Sequence, residues 1–170
     1  MKKYACVRGI ATYLPKKIET NDGMNQRFIK KIGIKERHVA SSQEAAGDLA
    51  FMAAEKLFSR YNIGRDEVDF LLLCTQHPDY QMPNTACHVA ERLSLYASCG
   101  ALDYSLGCSG YVYGLALAKG LIESGLSKRL LLLTSSVYLK YINKEDHAIR
   151  HLFGDGATAT YIVAEEGEAP

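Results

Sequence analysis

Residues 100–125, GALDYSLGCSGYVYGLALAKGLIESG, hold the reading that decides the fold. Gly100 to Leu106 is predicted to be a strand. From Gly107 to Gly125 the spacing predicts a helix with small residues on its faces: Gly110, Gly114, Ala116, Ala118 and Gly120. A strand that feeds directly into a helix opens a β-α-β unit. Cys108 stands at the junction, between Gly107 and Gly110, where the chain must turn sharply and glycine allows close backbone approach.

Working outward, Leu130–Val137 (LLLLTSSV) and Val68–Cys74 (VDFLLLC) are nearly continuous apolar runs of strand length. Such runs mark strands buried on both faces. Residues 4–13, closed by Leu14-Pro15, and residues 157–164 read as two further strands. A helix is predicted over 48–61, from Leu49, Met52, Ala53, Leu57 and Phe58 at helical spacing, with Gly64 as its stop. Another is predicted over 84–95, capped by Asn84, and a short one runs to about Ile32, capped from Thr20, Asn21 or Asp22 and ended by Gly33. Residues 41–47, 75–83 and 138–153 read as loops, and the acidic residues 165–170 as a turn-like tail or linker. The alternation predicts an α/β fold over residues 1–170: one domain, with a mixed, mostly parallel five-stranded sheet and helices on both faces.

The composition excludes several classes. Apolar residues make up 48% and charged residues 23% of the 170, which fits a globular chain and not a disordered or collagen-like one. A net charge of +1 gives no nucleic-acid signature. The charge is uneven, because residues 1–40 hold ten Lys/Arg against three Asp/Glu. This excess marks either a contact with phosphates or an acidic protein, or a solvated face. Leu130–Leu139, an uncharged apolar stretch, is too short to span a bilayer, and MKKYACVRGI is a poor signal peptide because Arg8 breaks its apolar run. Five cysteines at irregular spacing, none in C-x-x-C, indicate neither a zinc site nor a disulfide framework, and a reducing cytoplasm is expected.

Chemistry concentrates in Ser105-Leu106-Gly107-Cys108-Ser109-Gly110. The free N–H groups and the dipole at a helix N-terminus stabilise an anion, and that environment favours a thiolate. From the residues alone, Cys108 is either a nucleophile or a packed core cysteine. Phe153-Gly154-Asp155-Gly156-Ala157 is a second dense motif, a tight turn entering a strand. No helix follows it, so it is not a dinucleotide fingerprint. A structural role is expected for Asp155, binding nearby backbone N–H groups.

Together, Gly33-Ile34-Lys35-Glu36-Arg37-His38, the Pro83…Ala86-Cys87 segment, the Gly-Cys-Ser-Gly turn and Phe-Gly-Asp-Gly-Ala give the chain its family likeness. In their order and spacing it resembles the N-terminal half of β-ketoacyl-acyl-carrier-protein synthase III, a thiolase-superfamily condensing enzyme. The resemblance covers essentially the whole chain. It implies a single N-terminal thiolase-like domain, with the C-terminal half of the fold absent.

The resemblance further implies that Cys108 accepts an acyl group from a thioester, with decarboxylative Claisen condensation onto malonyl-acyl carrier protein following, in fatty-acid or related biosynthesis. The Cys108 N–H, with one from the other half, would form the oxyanion hole. The family's histidine and asparagine lie in that other half, and none of His38, His77, His88, His147 and His151 matches the histidine's position. Met82 is implied to reach across a homodimer interface and limit the acyl cavity, and Tyr138 and Phe153 to line the acyl channel. The 100–106 strand is implied to lie near the two-fold axis. No tightly bound cofactor or metal is implied; acyl-CoA or acyl carrier protein thioesters are the substrates and acyl carrier protein the partner.

The departures concern CoA. The chain has no tryptophan to hold an adenine. Arg27 stands about where that tryptophan is usual, His147 where an arginine is, and Lys31 replaces another arginine. A carrier-bound or unusual acyl donor is therefore an alternative to acetyl-CoA, and Lys30, Lys31 and Lys35 remain candidates for phosphate or carrier contacts. Two alternative functions stay open: acyl transfer to another nucleophile without condensation, and a non-catalytic subunit of a condensing-enzyme heterodimer.

Overall fold

The computed structural model describes residues 2–23, 26–146 and 149–167. Five strands form the main sheet: β1 (Lys3–Tyr13), β4 (Phe70–Cys74), β5 (Gly100–Tyr104), β6 (Arg129–Ser136) and β7 (Gly156–Glu166), in the order β1-β7-β6-β4-β5. β4 pairs in parallel with both β5 and β6, whereas β7 runs antiparallel to its neighbours β6 and β1. Four strands therefore share one direction and only β7 opposes them. This is the five-stranded, mostly parallel, thiolase-like α/β arrangement that the sequence predicts.

Both faces of the sheet are covered. Helices α2 (Ala46–Tyr61) and α3 (Thr85–Arg92) pack on one face, against Leu71, Leu73, Leu131, Leu133 and Ala159. Helix α4 (Gly110–Glu123) packs on the other, against Leu72, Leu130, Leu132 and Ile162. Successive strand side chains alternate between the two layers. That explains why β4 and β6 read as unbroken leucine runs: Leu71–Leu73 and Leu130–Leu133 are all fully buried. Each such leucine stabilises the fold by about 2 kcal/mol relative to exposure.

Several local expectations are corrected. Residues Lys17–Thr20 do not cap a helix; they form β2, antiparallel to β3 (Glu36–Val39). The short helix α1 covers Gln26–Ile32. Asn21 is buried, and its amide donates to the carbonyls of Ile34 (3.0 Å) and His151 (3.1 Å). α2 begins at Ala46 within the expected loop, and it ends before Gly64, at Asn62 in the left-handed conformation (φ 52°). Asparagine tolerates that region, so no glycine is needed there.

Asn84 makes no side-chain cap. The first N–H groups of α3 bind instead to Asp103 of β5, Thr85 N at 2.8 Å and Ala86 N at 2.6 Å. Asp79 does the same for Gly47 in the first turn of α2, at 2.9 Å. Carboxylates brought in from other segments thus cover the positive ends of two helices. Glu165 and Glu166 are no tail; they extend β7, opposite Tyr4 and Lys3. Residues 168–170 of the expected tail lie outside the described residues. Among the described residues no helix is long and apolar enough to cross a membrane.

Candidate active site

A single register level crosses the whole sheet: Thr12, Thr158, Thr134, Cys74 and Tyr104 stand side by side on β1, β7, β6, β4 and β5. This level ends the leucine layer beneath α4. Above it the chain leaves β5 and turns into α4. Cys108 sits in that turn, two residues before the first residue of α4, and is exposed. The sequence predicts that the helix begins at Gly107. The structure begins it at Gly110, with Ser109 as the preceding residue and no side-chain cap.

The four-residue turn closes through Gly110 N–H to the Gly107 carbonyl, at 2.8 Å. Small residues are required beneath it. A side chain at Gly110 would place its Cβ 2.4 Å from Cys74 Sγ, and one at Gly114 would place it 2.2 Å from the Tyr104 hydroxyl oxygen. The buried residues of α4, Gly110, Gly114, Ala118 and Ile122, recur every four positions, which is one face of a helix. Of the small residues singled out in the sequence, Ala116 and Gly120 are exposed and lie off this face.

Cys108 borders a cavity of about 550 Å³, and Tyr138 and Phe153 border the same cavity. The two rings meet edge-on with centroids 5.0 Å apart. Tyr138 lies in a short 3₁₀ turn, Tyr138–Lys140, directly after β6. Asp155 holds that turn: its buried carboxylate accepts Leu139 N–H at 3.1 Å and Ala40 N–H at 2.8 Å. Burial raises the Asp155 pKa above the ordinary carboxylate value, and the two N–H groups oppose the shift. The structural role expected for Asp155 is the one observed.

Arg37, from the Gly-Ile-Lys-Glu-Arg-His motif, is buried and donates to the carbonyls of Arg150 (2.9 Å) and Phe153 (3.4 Å). Glu19 lies near both Arg37 and Arg150, at 3.8 and 3.5 Å. The β2–β3 ribbon is therefore tied to the segment that carries Phe153. Nothing local announces this role, because Arg37 stands between Glu36 and His38 and its acceptors are more than 100 residues away.

The other expected residues fall elsewhere. Met82 is 89% exposed and does not border the Cys108 cavity. Arg27 borders a separate basic pocket of about 490 Å³ with Lys30 and Lys35, whereas the exposed Lys31 does not. His147 lies outside the described residues. No histidine borders the Cys108 cavity among the described residues. His38 Nδ1 lies 2.6 Å from the Pro15 carbonyl, and His151 Nδ1 lies 3.0 Å from Asn21. His88 packs against Tyr80. His77 is buried and stacked on Tyr141, and burial lowers its pKa. Among the described residues no group of three or more His, Cys, Asp and Glu is placed to hold a metal ion.

Comparison with known proteins finds relatives in both sequence and fold. Residues 102–170 match the family model described as 3-oxoacyl-[acyl-carrier-protein (ACP)] synthase III. The chain is 37% identical to a β-ketoacyl-[acyl-carrier-protein] synthase III of Sulfurovum sp., over 96% of this chain and 50% of that protein. A crystal structure of a 3-oxoacyl-(acyl-carrier-protein) synthase III superposes with a TM-score of 0.94 at 48% identity, covering 98% of this chain and 52% of the other. That of 3-oxoacyl-(acyl-carrier protein) synthase from Burkholderia xenovorans LB400 gives 0.92 at 35%, covering 99% and 50%. The chain thus spans about half the length of the relatives it matches.

Proposed function

Because the chain is homologous, in sequence and in fold, to half of a β-ketoacyl-[acyl-carrier-protein] synthase III, we propose that it is the nucleophile-bearing half of a condensing acyltransferase, with Cys108 as acyl acceptor. The observation that carries this reading is the exposed Cys108 on a strand-to-helix turn, bordering one cavity with Tyr138 and Phe153. Its thiolate attacks the carbonyl carbon of an acyl thioester. The new C–S bond forms to Cys108, the donor's C–S bond breaks, and the donor thiol leaves with a proton. Splitting acyl transfer into two steps is covalent catalysis. Donors aimed at the developing oxyanion, the Cys108 N–H among them, lower the barrier.

In the second step a malonyl group on acyl carrier protein loses CO₂, and the resulting carbanion displaces Cys108 from the acyl group. The family's histidine and asparagine would come from the other half, so residues 1–170 supply half of the site. Tyr138 and Phe153 wall the acyl channel. Met82, outside the cavity, limits it from across a homodimer interface, and β5 at the edge of the sheet is the strand placed to meet its counterpart. The basic pocket with Arg27, Lys30 and Lys35 receives the phosphates of CoA or the acidic surface of the carrier, with Lys31 on its flank.

Intact-mass measurement on the longest natural form of the polypeptide, incubated with acyl-CoAs and separately with acyl carrier protein thioesters, tests this. A single acyl adduct mapping to Cys108, absent in Cys108→Ala, is expected. No adduct from either donor in a folded protein overturns the proposal and leaves the non-catalytic subunit.

A further inference from the structure

Two hydrogen bonds flank Cys108 symmetrically. Cys74 Sγ donates to the carbonyl of Leu106, at 3.4 Å, and the Tyr104 hydroxyl donates to the carbonyl of Gly110, at 2.8 Å. Leu106 and Gly110 stand two residues before and two residues after Cys108. The donors are direct register partners on β4 and β5. Both ends of the turn are thus anchored at one level of the sheet, by side chains that do not belong to the turn.

We propose that Cys74 and Tyr104 are positioning residues that fix the turn presenting the Cys108 thiol to its thioester. The inference rests on the reading of Cys108 as acyl acceptor. The turn itself contributes little restraint: it contains two glycines, and Ser109 makes no side-chain cap. Glycine-rich backbone is conformationally free unless held. The packing converts that freedom into one pose, with Cys74 Sγ filling the space beneath Gly110 and the Tyr104 oxygen the space beside Gly114. Burial raises the Tyr104 phenol pKa far above its usual value, so the hydroxyl keeps its proton and remains a donor. A nucleophile held in a near-attack geometry gains rate without gaining affinity.

The test uses the longest natural form of the polypeptide with Tyr104→Phe, Cys74→Ala and Cys74→Ser. Cys108 acylation is followed against concentration of acetyl-CoA and of acetyl-acyl carrier protein, alongside alkylation of Cys108 by iodoacetamide and the thermal midpoint. Tyr104→Phe and Cys74→Ala are expected to lower the saturating acylation rate about tenfold and to leave the half-saturating thioester concentration within about twofold. Cys74→Ser, which keeps a donor, restores most of the rate. Alkylation by the small reagent stays within about twofold, because it needs no fixed approach. Unchanged acylation in both variants overturns the proposal. So does a parallel fall of acylation, alkylation and thermal midpoint, which is loss of fold alone. Acylation that persists in Cys108→Ala overturns the acceptor assignment itself, a result distinct from the other two.

Discussion

The ring of Phe153 stands edge-on to the ring of Tyr138, centroids 5.0 Å apart, and the pair forms one wall of the cavity that Cys108 borders. An edge-to-face aromatic pair contributes about 1 kcal/mol beyond its buried area. Phe153→Ala is therefore expected to cost more than that in urea unfolding, because the ring's buried area is lost together with the pair, and to open the wall. In competition between short and branched acyl donors, the variant shifts toward the bulkier one. An unchanged preference removes Phe153 from the acyl channel.

Asp155 accepts two backbone N–H bonds, and its folded pKa is raised by burial. A raised carboxyl binds its proton more tightly in the folded state. Its contribution is fully present below the ordinary carboxylate pKa of 3.8 and is lost as pH rises through the higher folded value. Asp155→Asn removes this slope, and its amide group opposes one of the two N–H donors. Because wild type alone loses stability as this carboxyl ionises, the variant is expected to gain on wild type as pH rises. Denaturation of both forms from pH 3 to 7 measures the change in their difference, and a difference that stays constant contradicts it.

Glu19 has the opposite sign. The hydrogen bond from Lys17 lowers its pKa most, followed by the charges of Lys17, Arg150 and Arg37, against a burial effect that raises it. Stability from Glu19 is present above its ordinary pKa of 4.5 and is lost as pH falls through the lowered folded value. Glu19→Gln is expected to cost up to about 1 kcal/mol at neutral pH and nothing in strong acid. Parallel unfolding curves of wild type and variant at all pH would contradict this.

Thiol labelling separates the cysteines. Cys108 and Cys87 are exposed, Cys74 is buried, and the Cys99 thiol is pushed up to about 11 by burial and by the charge of Asp69. A short iodoacetamide pulse at neutral pH is expected to modify Cys108 and Cys87. Cys74 and Cys99 should react only after unfolding. Peptide mapping that finds Cys99 labelled as fast as Cys108 overturns this order.

The outer face of α4 carries Val112, Tyr113 and Leu117, with exposures of 68%, 58% and 46%. Clustered apolar side chains of this kind drive association. Residues 1–170 expressed alone are expected to self-associate in light scattering. Val112→Lys with Leu117→Lys should return the chain to monomer, whereas a wild-type chain that is already a clean monomer refutes the expectation.

The leucine runs of β4 and β6 and the Cys108 turn were legible in the sequence because their signals are local. An unbroken apolar run implies burial on both faces, and a glycine pair around a cysteine implies a sharp turn wherever it occurs. The β2–β3 ribbon was not legible. Lys17–Thr20 and Glu36–Val39 are short and mostly polar, and pair only with each other. Nor was the capping of α3, since Asp103 lies 18 residues beyond Thr85.

From its own sequence, then, this protein has its α/β class, the order of its main strands along the chain and the sharp turn that carries Cys108 between β5 and α4. Periodicity and turn chemistry determine those within a few neighbouring residues. Only the tertiary structure decided what holds that residue. Cys74 and Tyr104 read in the sequence as one apolar and one aromatic strand residue, 30 positions apart. Strand pairing sets them side by side beneath the turn, where their donors reach the carbonyls of Leu106 and Gly110. A hydrogen bond between segments distant in the chain is a property of the packed sheet, so no local pattern announces it.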